Sequence, residues 1–421
     1  GTNLASDATL AFSADIDDNA RPSSTSSLSW DIGADEATSV IYRSVGYNNT
    51  SALQQGTDSG GIDLTVSGST ATFSSDIDDD IGVGDGIEYD TDDDGNVDDI
   101  CFISGRTSST VFTVKNATGS APVATTAADQ DWSIYRAYIS LSNAESGTEN
   151  TAFTDGVEDF DAWSGGKDLV RVNQQWNIAC YADAADMTPV TIPDWTTSAS
   201  AYLKIYAPYD PSEVGNSQRH YGKAGTGYVL NPSVNAHAVD VRVDYTRLVG
   251  FEITDWINSG TTSREGIHVE ADEVLIESMI IHDNDAPDPG DGNNNADAIN
   301  LNEMSDGETV TICNTIIYNI GRGGILDQGS QSNIVNIENV TVYNTGLTGS
   351  DADDDAGIDL ESVNGTVNVR NTISMTNNDP GDSDFKNEGS YGSISNNISS
   401  DGTAPGPDSL TGQTLDDIDS V

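Results

Sequence analysis

The sequence predicts an all-β protein, a right-handed parallel β-helix (a solenoid) joined to a small antiparallel β-barrel or sandwich. Three observations carry this expectation. Between Glu265 and about Ser400 a short phrase returns as Gly266-Ile267-His268-Val269, Ala298-Ile299-Asn300-Leu301, Gly324-Ile325-Leu326-Asp327 and Gly357-Ile358-Asp359-Leu360. A second phrase follows: Val310-Thr311-Ile312-Cys313-Asn314 matches Val335-Asn336-Ile337-Glu338-Asn339 and Val367-Asn368-Val369-Arg370-Asn371, with a weaker copy at Ser393 to Ile398. A period of roughly 25 to 33 residues is that of a solenoid, whose units bury their apolar faces only against their neighbours. Within each phrase the apolar residues alternate, which is the period of a strand. Two short strands per unit are expected. Asn314, Asn339, Asn371 and Asn396 recur in one register. They read either as a ladder of stacked, mutually hydrogen-bonded amides or as turn residues that tolerate a left-handed backbone; one residue type in one register over successive units favours the ladder.

Bulk properties bound the rest. The 421 residues suggest two or three units. A hydrophobic content of 36% suits the thin core of a solenoid. Asp and Glu number 69 against 16 Lys and Arg, a net charge of −53, so nucleic acid and anionic membrane surfaces are repelled. No apolar run approaches the roughly 18 residues of a membrane span, so no membrane insertion is expected. The chain begins Gly1-Thr2-Asn3, which predicts a processed or excised chain. Cys101, Cys180 and Cys313 stand far apart in apolar, strand-like contexts and read as buried free thiols.

Taken in order, residues 1–36 hold Asp15-Ile16-Asp17-Asp18-Asn19-Ala20-Arg21-Pro22 and then Trp30-Asp31-Ile32-Gly33-Ala34-Asp35-Glu36. This stretch resembles the closing phrase, D-x-D-G-x-x-R-P followed by D-I-G-A-x-E, of bacterial and phage-like extracellular surface proteins with right-handed parallel β-helix repeats of the pectate-lyase-like fold. The resemblance implies the C-terminal end of a β-helix, yet here the phrase stands at the N-terminus. After Ile398 the chain gives Asp401-Gly402-Thr403-Ala404-Pro405 and an acidic tail with no closing phrase. Two explanations fit: a piece of a longer array of tandem repeats, or complementation, in which Asp15, Asp17, Arg21, Pro22, Trp30, Asp31, Ile32 and Gly33 complete the β-helix of a neighbouring subunit. Whether the segment acts in cis or in trans stays open.

Residues 37–137 alternate strongly without repeats, from Val40-Ile41-Tyr42-Arg43-Ser44-Val45 to Thr110-Val111-Phe112-Thr113-Val114, and predict the barrel or sandwich module. Its phrases Ile81 to Asp85 and Ser104 to Thr110 resemble a module found beside β-helices in surface proteins, one with no assigned activity. Residues 138–235 form a linker, a cap and irregular first coils, with a short helix expected at Tyr138 to Glu145. Residues 236–400 are the β-helix, and 401–421 an acidic tail.

The sharpest motif is Asp90-Thr91-Asp92-Asp93-Asp94-Gly95-Asn96-Val97-Asp98. Oxygen ligands at alternating positions wrap a hard cation, and Gly95 permits the tight turn. Asp90, Asp92, Asp94 and Asp98, with Asn96 through its carbonyl, are therefore candidate ligands of a structural Ca2+ ion; a solvated acidic hairpin is the alternative. Asp283 to Asp297 and Asp351 to Asp355 are weaker acidic loops. For catalysis, Asp359, Glu361, Asp327, His268, His282 and Arg264 are the only candidates, and they share no pattern. The expectation is thus no catalytic residue and a structural protein of an extracellular filament or surface assembly, built from copies of this chain head to tail. An adhesin or tail spike with a glycan-binding face is the alternative reading, and a polysaccharide lyase or hydrolase the third.

Overall fold

The computed structural model describes residues 38–161, 166–257, 264–284, 296–302, 304–329, 332–347, 356–361, 364–377 and 383–418. The expected assembly residues Asp15, Asp17, Arg21, Pro22, Trp30, Asp31, Ile32 and Gly33 lie outside them, as do 285–295 and 351–355 of the weaker acidic loops. The molecule is nearly all β, with 39% strand against 4% helix. Among the described residues no helix is long and apolar enough to cross a membrane.

Three parallel sheets make up most of it. Sheet I has nine strands, in order Ser39–Gly46, Gln174–Tyr181, Leu203–Tyr206, Thr246–Val249, Val274–Glu277, Thr309–Cys313, Ile334–Glu338, Thr366–Arg370 and Ser390–Ser395. Sheet II has seven: Val229–Leu230, Glu252–Thr254, Ile280–His282, Ile316–Tyr318, Thr341–Thr345, Ile373–Asn377 and Ile398–Ser399. Sheet III also has seven: Val190–Ile192, Val239–Val241, Ile267–Val269, Ile299–Leu301, Ile325–Asp327, Ile358–Leu360 and Phe385–Asn387. From Thr246 onward the chain visits the sheets in strict rotation, each strand pairing with the one three strands later. One circuit therefore holds three strands, not the two expected. The second sequence phrase is two strands bent at its asparagine: Asn314, Asn339, Asn371 and Asn396 have φ of 54°, 55°, 52° and 57°.

Inside the circuits equivalent side chains stack. In sheet III, Val239, Ile267, Ile299, Ile325, Ile358 and Phe385 are in register. Leu248, Ile276, Ile312, Ile337 and Val369 do the same in sheet I, and all of these are buried. Each such side chain contributes about 1.5–3 kcal/mol of burial. All four asparagines adopt the left-handed turn, and of the expected ladder two separate rungs are present, the side-chain amide of Asn339 donating to Asn314 (3.3 Å) and that of Asn396 to Asn371 (3.2 Å). There is a second column: Asn344 donates to Asn319 and Asn319 to Asp283, both at 2.7 Å.

The antiparallel sheet runs Gln54–Gln55, Trp132–Tyr135, Gly86–Tyr89, Asp99–Arg106, Val111–Lys115, Thr70–Phe73, Leu64–Ser67. Two backbone bonds between Leu64 and Asp129 (2.7 and 3.1 Å) draw its last strand toward the segment leading into Trp132. It has its own core, where Phe73 meets Phe112 and Trp132 edge-on. Val40 to Val45, expected in this module, lies instead in sheet I, where Ser39–Gly46 pairs in parallel with Gln174–Tyr181 over eight residues. The reason is tertiary: Ile41 and Val45 face the main core beside Trp176 and Ile178. The expected helix is Leu141–Ser146, capped by Ser140 and closed by Gly147 at φ 66°. Its Leu141 and Ala144 pack on the same core. Cys101 and Cys180 are buried free thiols, whereas Cys313 is only partly covered.

Candidate functional site

The acidic hairpin joins Gly86–Tyr89 to Asp99–Arg106. Asp90 is buried, and its carboxylate organises the loop: Oδ1 accepts from the amides of Asp92 and Asp93 (both 2.9 Å), and Oδ2 from that of Gly95 (2.7 Å). Gly95, at φ 86°, supplies the left-handed turn. Burial opposes the charge on Asp90, but these amides hold its carboxyl below the usual range. Asp92 and Asp94 converge on Asp90 with ligand oxygens within 4.8 Å of one another. The negative charge of Asp94 raises the pKa of Asp92. Asp98 does not join this group: its oxygens accept from the amide (3.1 Å) and hydroxyl (2.9 Å) of Thr91. The side chain of Asn96 donates to Asp94 at 2.9 Å. Asp129 and Asp131 face Asp90 from the next loop instead, which the spacing of the motif could not reveal.

The six catalytic candidates do not gather into one site, although Asp359 and Glu361 share a lysine. His282 lies on sheet II, between Glu252 (3.0 Å) and Asp283 (2.8 Å), with its ring stacked on Tyr318. Burial opposes its protonation, yet the bonds to those two carboxylates raise its pKa. Asp327 occupies an inward position, in register with Leu301 and Leu360. It accepts from the Gly329 amide (3.0 Å) and from Asn333 (3.3 Å). Asp359 binds Lys386 at 2.9 Å, and Glu361 the same ammonium at 3.3 Å. Arg264 offers its carbonyl to Trp256. His268 and Asp359 share sheet III but stand three strands apart, about 14 Å, too far to act as one pair. What the sequence did not show is that His268 meets His237 and Glu265 across two circuits.

The two ends of sheet I differ. At one, Ser39–Gly46 is the strand that residues 1–37 lead into. At the other, Ser390–Ser395 is mostly exposed, and among the described residues no strand lies beyond it. The tail, expected to leave this end unfinished, folds back over part of it. Buried Asn397 donates to Val369 and Pro405 carbonyls (both 2.9 Å), and Ile398 bridges to Leu410. The buried Asn397 amide is thereby paired, and Ala404 of the tail packs against the main core. Tyr391, Leu410 and Leu415 stay exposed. No family model, curated protein or solved structure matches the chain.

Proposed function

We propose that the three parallel sheets form a right-handed parallel β-helix and the antiparallel sheet a small barrel, and that the chain is a structural subunit of an extracellular filament. Subunits join head to tail, with residues 1–36 of one completing the β-helix of the next. The observation that carries this reading is the asymmetry of sheet I. Residues 1–37 join the chain at the strand of one edge, while no described strand lies beyond the opposite edge, Ser390–Ser395, which carries exposed Tyr391 and is followed by a tail with exposed Leu410 and Leu415. An open strand edge is a template for another strand. A contact between unlike ends does not close on itself unless its rotation does, so it propagates as a fibre. The resemblance of residues 15–36 to a β-helix closing phrase supplies a segment of the right kind. Electron microscopy of the full chain should show fibres, and deletion of residues 1–36 should leave folded single subunits. Identical fibres from the truncated chain would refute the assembly.

In this reading the acidic hairpin takes a structural calcium ion through Asp92 and Asp94 with Asp90, an oxygen-only donor set suited to a hard cation. Calcium should raise the Tm of the full chain over that in chelator. D92A with D94A should remove that increment while leaving the Tm in chelator nearly unchanged. Asp90→Ala should lower the Tm in both conditions, because three amides lose their acceptor. A calcium increment that survives the double change sinks the site.

A further inference from the structure

His237, Glu265 and His268 come from adjacent circuits. His237 precedes Val239–Val241 and Glu265 precedes Ile267–Val269, two strands paired so that Asp240 stands opposite His268. Their ligand atoms lie within 4.8 Å of one another. Glu265 is 1% exposed and His268 9%, while the His237 side chain is 17% exposed. The two imidazoles stack at 4.5 Å, 19° from parallel. Both present Nδ1 to Oε2 of Glu265: His237 in contact, His268 at 3.5 Å.

The pattern of protons decides what this cluster is for. Nε2 of His268 lies 3.1 Å from the carboxylate of Glu270, an acceptor, so the ring proton belongs on Nε2 and Nδ1 carries a lone pair. Nδ1 of His237 takes the Glu265 backbone amide at a long 3.2 Å, so it too is an acceptor. Oε2 of Glu265 and Nδ1 of His268 are buried with no hydrogen-bond partner, and so is Oδ1 of neighbouring Asp240. Oε2 of Glu265 and Nδ1 of His268, which have no donor, thus converge with Nδ1 of His237, whose one donor is that long amide. Such groups are costly to leave unsatisfied, and a cation satisfies all three at once.

We propose that His237 Nδ1, His268 Nδ1 and Glu265 Oε2 bind a divalent transition metal ion of the zinc class. Two imidazoles and one carboxylate suit such an ion, and three protein ligands leave a fourth position open. Glu270 is the positioning residue: it holds the far nitrogen of a ligating histidine, the usual arrangement around metal-bound imidazoles. Asp240, itself held by Arg242 at 2.8 Å, adds negative charge beside the site. The ion ties two neighbouring circuits together, and the site is independent of the calcium hairpin and of the assembly.

The test uses the full chain, stripped with chelator and then kept in millimolar calcium to occupy the acidic surface, and titrated with Zn2+ against a competing chromogenic chelator. One tight site per chain is expected. H268A and E265Q should each weaken it at least 100-fold, and E270A on the order of 10–100-fold. H282A, on sheet II, should leave it intact. Circular dichroism checks that the variants fold. Co2+ added to the unmodified chain gives a readout independent of the variants' folding: visible absorption of a four-coordinate nitrogen–oxygen site, displaced by Zn2+. Absence of a stoichiometric site in the unmodified chain overturns the proposal, as does undiminished affinity in folded H268A and E265Q.

Discussion

Arg136→Met is expected to cost about 3–5 kcal/mol of stability at neutral pH, the loss that follows when one partner of a buried ion pair is removed. The guanidinium is fully buried where the antiparallel sheet meets sheet I. Nη1 donates to both oxygens of Asp85 at 2.9 Å, and Nε and Nη2 donate to Asp183 at 3.0 and 2.8 Å. Nη2 also reaches the carbonyl of Asp80, and the group lies 3.6 Å above the ring of Tyr181. Residues 80–85 from the antiparallel module are thereby held to residues 181–183 of the parallel stack. Burial opposes the charge on Asp183, but Arg136 holds its carboxyl below the usual range. In Asp85 burial wins, and its pKa stays raised even against Arg136.

The pH dependence of the variant separates charge from packing. Without Arg136, the folded pKa of Asp85 rises further above its unfolded value of about 3.9. A carboxyl raised in the folded state contributes stability that is complete below the unfolded pKa and is lost as pH rises through the folded one. Arg136→Met should therefore lose less, relative to the parent chain, at pH 5 than at pH 8 in urea denaturation. Adding Asp85→Asn should recover much of the loss at pH 8. Equal losses at both pH values would mean that the guanidinium acts through its packing on Tyr181 alone.

The repeat was legible where each circuit carries its own local signal. The alternation in Val310 to Ile312 and the asparagine that bends the chain after it are both properties of neighbouring residues, so strands and turns could be placed from sequence. Partners could not. Ser39–Gly46 alternates like any half-buried strand, and only the main core, reached through Trp176 some 135 residues later in the chain, assigns it to sheet I. The same holds for side-chain sites. Asp90, Asp92 and Asp94 stand out because one short loop carries them, but Asp129 and Asp131, which also face Asp90, arrive from elsewhere. His237 and Glu265 looked like isolated residues. Setting Ala238-Val239-Asp240-Val241 beneath Gly266-Ile267-His268-Val269 would have put His237 over Glu265 and Asp240 over His268, which is their true register.

Ile312→Ala should cost 2–5 kcal/mol, roughly the range for a buried large-to-small change, and the damage should spread in a pattern that tests the stacking. Ile312 sits midway along the sheet I column, between Ile276 and Ile337. Each strand of these sheets pairs only with the strands on either side of it, a nearest-neighbour arrangement. A gap in the middle therefore leaves two shorter stacks, whereas a gap near an end frays only what lies beyond it. Hydrogen exchange should show lost protection on both sides of Thr309–Cys313, with the antiparallel sheet, which has a separate core, little changed. Val369→Ala, one strand from the open edge, should release only the last circuits of a free subunit. The proposed head-to-tail assembly would narrow that difference, because the open edge would become interior and Val369 would gain circuits on its far side. The penalty of Val369→Ala should then grow toward that of a mid-column change in fibres, while the penalty of Ile312→Ala stays the same. If Val369→Ala costs the same in fibres as in free subunits, the edge at Ser390–Ser395 is not where subunits join.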